Sequence, residues 1–241
     1  MKRVLLVLVF AFLVAGCGGD DDAGSETTTG AEPTTAVVAY FLRDGMVWPV
    51  AREVSASTPE EAMSVLSEGP NDEEESALEL TTAVEGEPEV SFDGGVAAVS
   101  GADLSDEARA QIVYTLTSIP TVSSVELDGE PATRADFEEQ TPPVLVEAPL
   151  AFEQVSSPLE ATGTANTFEA TFSFEVKDAS GAVIASDFAT ATSGTGTRGT
   201  FDFTQPFVVD EDQEGSLVVF ELSAEDGSRT NEVEIPLQLL G

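Results

Sequence analysis

The chain contains no histidine, one cysteine, and nine basic residues against 45 acidic ones. Each shortage closes a class of chemistry. Without an imidazole, Ser-His-Asp and Cys-His arrangements are excluded, because both use that ring as the general base. A lone cysteine without histidine also excludes a Cys/His zinc constellation and any disulfide within the chain. Lysine stands at positions 2 and 177 alone, so a Ser-Lys pair beyond the first residues could use only Lys177. That lysine precedes a turn signal at Asp178–Gly181 and reads as solvated. No glycine-rich phosphate cradle with its lysine occurs.

What is abundant is negative charge. The formal net charge is −36, spread along the chain with few cations between the acids. Such a field repels nucleic acid and anionic lipid headgroups and attracts cations or basic partners. A salt-adapted proteome gives the same pattern without any specific partner. Apolar residues still make up 41% of the chain, enough to build cores, so global disorder is not the reading. With so many acids, a catalytic carboxylate pair cannot be picked out by counting. It would need two carboxylates across a cleft at a fixed spacing.

The amino terminus has the parts of a targeting segment. Lys2 and Arg3 precede an apolar run, Val4 to Val14, that is too short to span a bilayer comfortably. Val14-Ala15-Gly16-Cys17 resembles the bacterial lipobox. The resemblance implies removal of residues 1–16, diacylglycerol on the Cys17 thiol, and a palmitate-type acyl group on the new amino terminus. Losing Lys2 and Arg3 would lower the charge from −36 by two, to −38. Each buried methylene adds about 0.8 kcal/mol, so two or three acyl chains would hold the protein to the outer face of the cell membrane. The alternative is an ordinary signal peptide with a bystander cysteine. Residues 17–35 continue as "CGGDDDAGSETTTGAEPTT", an acidic tether with nothing to bury.

Beyond the tether two regions meet near Gln140-Thr141-Pro142-Pro143. The first, 36–137, mixes strands and helices. Asp44-Gly45 between "VVAYFL" and "MVWPVARE" predicts a hairpin. "TPEEAMSVLSEGP" predicts a helix capped by Thr58, with Pro59 at its first position, Glu61 completing a capping box and Gly69-Pro70 stopping it. A second hairpin follows in "EVSFDGGVAAVS". Leu104, Ala108, Ile112 and Leu116 then mark an amphipathic helix, capped by Ser105 and ended by Pro120. "VSSVEL" closes the region as a strand. Two helices on one face of a small sheet would bury both apolar stripes, an α+β domain. The acidic run Asp72-Glu73-Glu74-Glu75 reads as a solvated loop.

The second region, 143–241, shows no helical period. Seven short alternating runs separated by turn signals predict an all-β sandwich. In "FEATFSFEV", Phe168, Ala170, Phe172, Phe174 and Val176 fall on one face of a strand, and Phe201 and Phe203 repeat the period of two. These rings, like Trp48 and Tyr114 in the first region, are read as core. Arg198, between glycines in "GTRGT", is read as an internally paired arginine, with an anion on a partner as the alternative.

"AYFLRDGMVWPVAREV", "TPEEAMSVLSEGP" and "IVYTLTSIPTVSSVELDGEP" resemble the GerMN domain, the sporulation and spore germination domain of bacterial envelope lipoproteins. "SSPLEATGTANTFEATFSFEV", "GTRGTFDFTQPF" and "VVFELSAEDGS" resemble the immunoglobulin-like domain of bacterial spore germination. The resemblance implies a first domain akin to ring-building modules, then an immunoglobulin-like sandwich, with no catalytic residues and no cofactor. It also implies homo-oligomers, which the net charge opposes at low salt.

One metal candidate remains. In "DEDQEGSLVVFE", Asp210, Asp212, Glu214, Gly215 and Glu221 nearly match an EF-hand calcium loop. The flanking "FVV" and "LVVFEL" read as strands where the motif needs helices, which leaves at most a weak calcium site at Asp210 and Asp212. The expected protein is a lipid-anchored, non-catalytic binding or scaffold module. Its partners would be envelope proteins or cell-wall components, and not nucleic acid. The rivals are a wall-acting hydrolase using paired carboxylates and a glycan-binding envelope protein with exposed aromatics on one sandwich face.

Overall fold

The computed structural model describes residues 35–100 and 104–241. Cys17 and the tether through residue 34 lie outside the described residues, and Thr35, expected to end the tether, opens the first strand. The first domain opens with a hairpin of β1 (Thr35–Arg43) and β2 (Met46–Val54). Asp44 and Gly45 at its tip have φ of 52° and 78°, the left-handed pair that a two-residue hairpin turn requires. Helix α1 (Pro59–Glu68) begins where the Thr58 hydroxyl accepts the Glu61 N–H at 3.3 Å. Strands β3 (Glu89–Asp93) and β4 (Val96–Ser100) form the second hairpin. Helix α3 (Asp106–Thr117) then crosses to β5 (Ser124–Leu127), parallel to β4, and β6 (Glu130–Ala132) returns antiparallel.

Three features of this domain differ from the expectation. Glu61 does not complete a capping box: its carboxylate accepts the Ser55 hydroxyl at 2.8 Å, and the Thr58 N–H bonds the Ala56 carbonyl. The sheet is divided: β3-β4-β5-β6 form one sheet, and the β1–β2 hairpin stands apart, with α1 and α3 packed against both. Helix α3 is therefore enclosed on all sides. Ala110, Gln111, Val113 and Thr115 are buried along with the apolar stripe. The acidic run is not a loop. Asp72–Leu78 form helix α2, started by a capping box in which Asn71 accepts the Glu74 N–H at 2.9 Å and Glu74 accepts the Asn71 N–H at 3.0 Å. Four acids in its first turn also complement the helix dipole. The Glu74 side chain is 7% exposed and is gripped by both terminal nitrogens of Arg52.

The second domain is a sandwich. One sheet has the order β11-β10-β13-β14-β8 and the other β12-β9-β7. Their spans are β7 (Val144–Ala148), β8 (Gln154–Val155), β9 (Leu159–Ala165), β10 (Thr171–Asp178), β11 (Val183–Thr190), β12 (Gly199–Gln205), β13 (Gln213–Leu222) and β14 (Arg229–Leu239). Phe172 and Phe174 of β10 meet Phe201 and Phe203 of β12 between the sheets. Phe174 and Phe203 stack at 4.1 Å, and Phe172 meets Phe201 edge-on at 4.9 Å. Gly163 lets β7 and β12 close on β9: a Cβ there would lie 2.1 Å from the Leu145 carbonyl oxygen.

Phe168 and Ala170 do not share that strand face. Residues Phe168–Ala170 form a tight turn with Glu169 and Ala170 at φ of 55° and 59°, so β10 starts at Thr171 and Phe168 is 65% exposed. "FVV" is also not a strand, since no regular element occupies 206–212.

Candidate functional site

The densest polar construction joins the two domains. After β6 the chain runs through a 3₁₀ segment, Arg134–Gln140, and Pro142-Pro143 into β7. Arg134 reaches across the boundary. Its Nη1 donates to Glu147 Oε1 at 2.6 Å, its Nε to the Thr117 hydroxyl at 2.7 Å, and its Nη2 to the Tyr114 carbonyl at 3.1 Å. The guanidinium lies over the rings of Tyr114 and Tyr40, 4.6 and 5.3 Å from their centroids. The Tyr40 hydroxyl donates to the same Glu147 oxygen at 2.6 Å. The Thr141 hydroxyl donates to the Phe137 carbonyl, so the Tyr114 hydroxyl, 2.7 Å away, is the donor to Thr141.

Arg198 makes the second tie, from the sandwich. Its Nε and Nη2 hold both oxygens of Glu138 at 2.9 Å, Nη2 also reaches the Pro142 carbonyl at 3.0 Å, and Nη1 reaches the Thr164 hydroxyl at 3.3 Å. Asn166 donates to Glu138 as well, at 2.8 Å. The expected internal pairing of Arg198 is what the structure shows, and its partner lies in the 3₁₀ segment that joins the two domains.

Electrostatics fix the charge states. Burial pushes the Tyr40 phenol far up, outweighing the opposing charge of Arg134, and burial likewise raises Tyr114. Both stay protonated hydrogen-bond donors. Burial alone would raise Glu138, but the bonds from Arg198 and Asn166 outweigh it and hold the carboxyl below its ordinary value. Burial would lower Arg134, and its partners Tyr40 and Glu147 more than reverse that.

Beside these ties, Trp48, Pro49 and Pro142 face Val144, Leu145 and Ile235 across an apolar seam whose void is about 10 Å³, room for no more than one water. Two clefts flank it. One, about 390 Å³, is lined by Tyr114, Arg134, Glu138 and Arg198 and contains a single acid. The other, about 230 Å³, brings Asp44 and Glu232 together with Arg43, which lies 5.0 Å over Trp48. Both of those acids are exposed, and Glu232 meets Arg229 at 3.3 Å.

Glu214 and Glu221 of the EF-hand resemblance lie on β13, where seven residue steps along the strand set them roughly 23 Å apart. One ion cannot bridge that distance. Asp212 accepts the Gly241 N–H at 3.0 Å, and Asp210 lies two residues before it in an irregular stretch. Among the described residues no group of three or more acids or cysteines is placed to hold a metal. Lys177 stands opposite Ser216 in the β10–β13 register. The Ser216 hydroxyl is buried and donates to Glu234 at 2.6 Å, so lysine has no part in its bonding.

Sequence reasoning missed Tyr40, Arg134, Glu138 and Glu147. A signal was present in the scarcity of cations. Among the described residues, Arg52, Arg109, Arg134, Arg198 and Arg229 each bond a carboxylate. In a chain this acidic, an arginine flanked by few other cations marks an anchor.

The fold and junction define a two-domain module, a helix-and-sheet domain strapped to an immunoglobulin-like sandwich. Residues 38–133 match the family model described as sporulation and spore germination, and residues 143–228 match that of the immunoglobulin-like domain of bacterial spore germination. The chain therefore belongs, domain by domain, to these two spore germination families, which are of non-enzymatic type. No curated protein matches it. Solved structures with some likeness include CopC from Methylosinus trichosporium OB3b, 13% identical over 40% of this chain and 92% of that one, with a TM-score of 0.25. Another is WR4, a C. elegans MSP family member, 13% identical over 41% and 97%, with a TM-score of 0.23. At those scores neither bears on fold or function.

Proposed function

We propose that the chain is a non-catalytic adaptor of the bacterial cell envelope, of the spore germination and sporulation type, held to the outer face of the membrane by lipid at Cys17. The observation that carries this reading is the junction. Its tyrosines, arginines and glutamates are spent on one another, which suits a rigid spacer displaying two surfaces and leaves no free base or nucleophile. Among the described residues no helix is long and apolar enough to cross a membrane, so attachment would fall to the acylated cysteine. The partners would be envelope proteins or wall components, and the net charge favours basic ones. Self-association would need salt or divalent cations to relieve the repulsion.

Two experiments test it. Metabolic labelling with a palmitate analogue should mark the full chain and fail on Cys17→Ser; labelling that survives the substitution sinks the anchor. Crosslinking on intact cells followed by mass spectrometry should recover one or two specific envelope proteins. Recovery of wall fragments alone would replace the adaptor with a glycan-binding protein.

The hydrolase reading has one observation in its favour, the cleft that gathers Asp44 and Glu232 from the two domains. A general acid needs burial to keep its proton at neutral pH, and neither of these carboxylates is buried. Wall-degrading activity abolished by Asp44→Asn or Glu232→Gln would revive it.

A further inference from the structure

Strand β3 is one edge of the four-stranded sheet and pairs only with β4. The turn between them is Gly94-Gly95, with φ of 57° and 90°. In a two-residue hairpin the residues flanking the turn exchange both backbone bonds, and the pattern alternates from there. Asp93, Ser91 and Glu89 therefore bond β4, while the N–H and C=O of Val90 and Phe92 point away from the sheet. No described group bonds them. The opposite edge, β6, is interrupted by Pro131.

At the start of β3 a groove of about 540 Å³ opens between α1 and residues 86–90. Met63 and Val90 contribute its apolar lining, and Glu60, Glu68 and Glu87 its charge. No basic residue lines it. Phe92 shares a strand face with Val90 and is 37% exposed. A second copy of the chain is a poor occupant. Antiparallel self-pairing about Ser91 would set Glu89 against Asp93 at both ends, a like-charge clash. A cationic strand meets the same charges favourably.

We infer that β3 is a docking edge for an extended, arginine- or lysine-bearing segment of a partner protein. The segment adds as a fifth strand on the Val90 and Phe92 backbone groups and lays side chains along the α1–β3 groove. This is strand addition, in which backbone bonds give affinity and alternate side chains give selectivity. It rests on the adaptor reading and names the surface and partner chemistry that reading leaves open.

The test uses the purified full chain and a labelled peptide, Lys-Val-Arg-Val-Lys-Val-Arg. Binding should slow amide exchange at Val90 and Phe92 and weaken about tenfold or more when salt is raised from roughly 0.05 to 0.5 M. Methylating alternate peptide amides, or the substitution Phe92→Pro, should each cost about tenfold in affinity, since both remove outward backbone bonds. The triple variant Glu60→Gln, Glu68→Gln, Glu87→Gln leaves the backbone untouched and should weaken binding several-fold with unchanged circular dichroism. Absence of binding overturns the proposal. So does binding without protection at Val90 and Phe92, or equal binding of the methylated peptide, since either means charge attraction alone. If intact-cell crosslinking recovers envelope proteins through other residues, β3 fails while the adaptor reading stands.

Discussion

The two domains solve the same problem, unpaired backbone in a buried place, in opposite ways. In the first, the β1–β2 hairpin has no neighbouring strand, so the free edge of β1 is met by other groups. Gln111 of α3 donates to the Tyr40 carbonyl at 3.0 Å, the Thr115 hydroxyl accepts the Tyr40 N–H at 2.9 Å, and Ser118 donates to the Val38 carbonyl at 3.1 Å. Leu42 exchanges both backbone bonds with Thr81. In the sandwich, phenylalanines stack among aliphatic side chains between the sheets, and strand ladders satisfy the backbone. A detached hairpin needs polar side chains inside the fold, because buried N–H and C=O groups must be paired. A continuous sheet leaves its interior free for rings.

Substitutions can break that contrast. The largest effect belongs to the sandwich. Gly163→Ala would place a Cβ 2.1 Å from the Leu145 carbonyl oxygen and 2.8 Å from Phe201 Cζ. Because the nearest atom is backbone, the sheet itself must shift. A loss of about 4 kcal/mol is expected in urea denaturation. In the first domain, Arg52→Ala strands the buried Glu74 without its cation and should cost about 3 kcal/mol, more than Glu74→Ala, which leaves a partly exposed arginine and the Asn71 N–H of the helix cap unpaired. Gln111→Leu preserves volume but orphans the Tyr40 carbonyl and the Ala83 N–H, and should cost about 2 kcal/mol. A polar-to-apolar change that stabilised the domain would contradict the role given to these side chains.

The smallest effect lies at the junction and depends on pH. The folded Glu138 carboxyl sits below its ordinary 4.5, so its bond to Arg198 stabilises fully above that pH and is lost as pH falls through the lowered folded value. Glu138→Gln removes this dependence. The stability gap between the two proteins should be under about 1 kcal/mol at neutral pH and should close on acidification below 4.5. A gap that widened in acid would reverse the assigned sign.

Where local chemistry decides an element, the sequence was enough. Asp44-Gly45, the Thr58 cap and the alternation of Phe172 and Phe174 all lie within a few residues of what they determine. Helix α2 was missed although Asn71 and Glu74 stand at capping-box spacing, because "DEEESAL" offers a single apolar anchor, Leu78, and its tertiary support is Arg52, far back in β2. The turn at Phe168–Ala170 was hidden for another reason: its left-handed residues are Glu169 and Ala170, neither of which signals positive φ. The internal pairing of Arg198 was readable from its rarity. Its partner, Glu138, lies 60 residues away among many equivalent acids, and only folding selects it.

Arg134 and Arg198 strap the domains into one body. Scanning calorimetry of the full chain tests it directly. The unaltered protein should unfold in one cooperative transition, and Arg198→Ala combined with Arg134→Ala should separate that transition into two. Two independent transitions in the unaltered protein, or a single one untouched by the paired substitutions, would show that the junction is a passive linker.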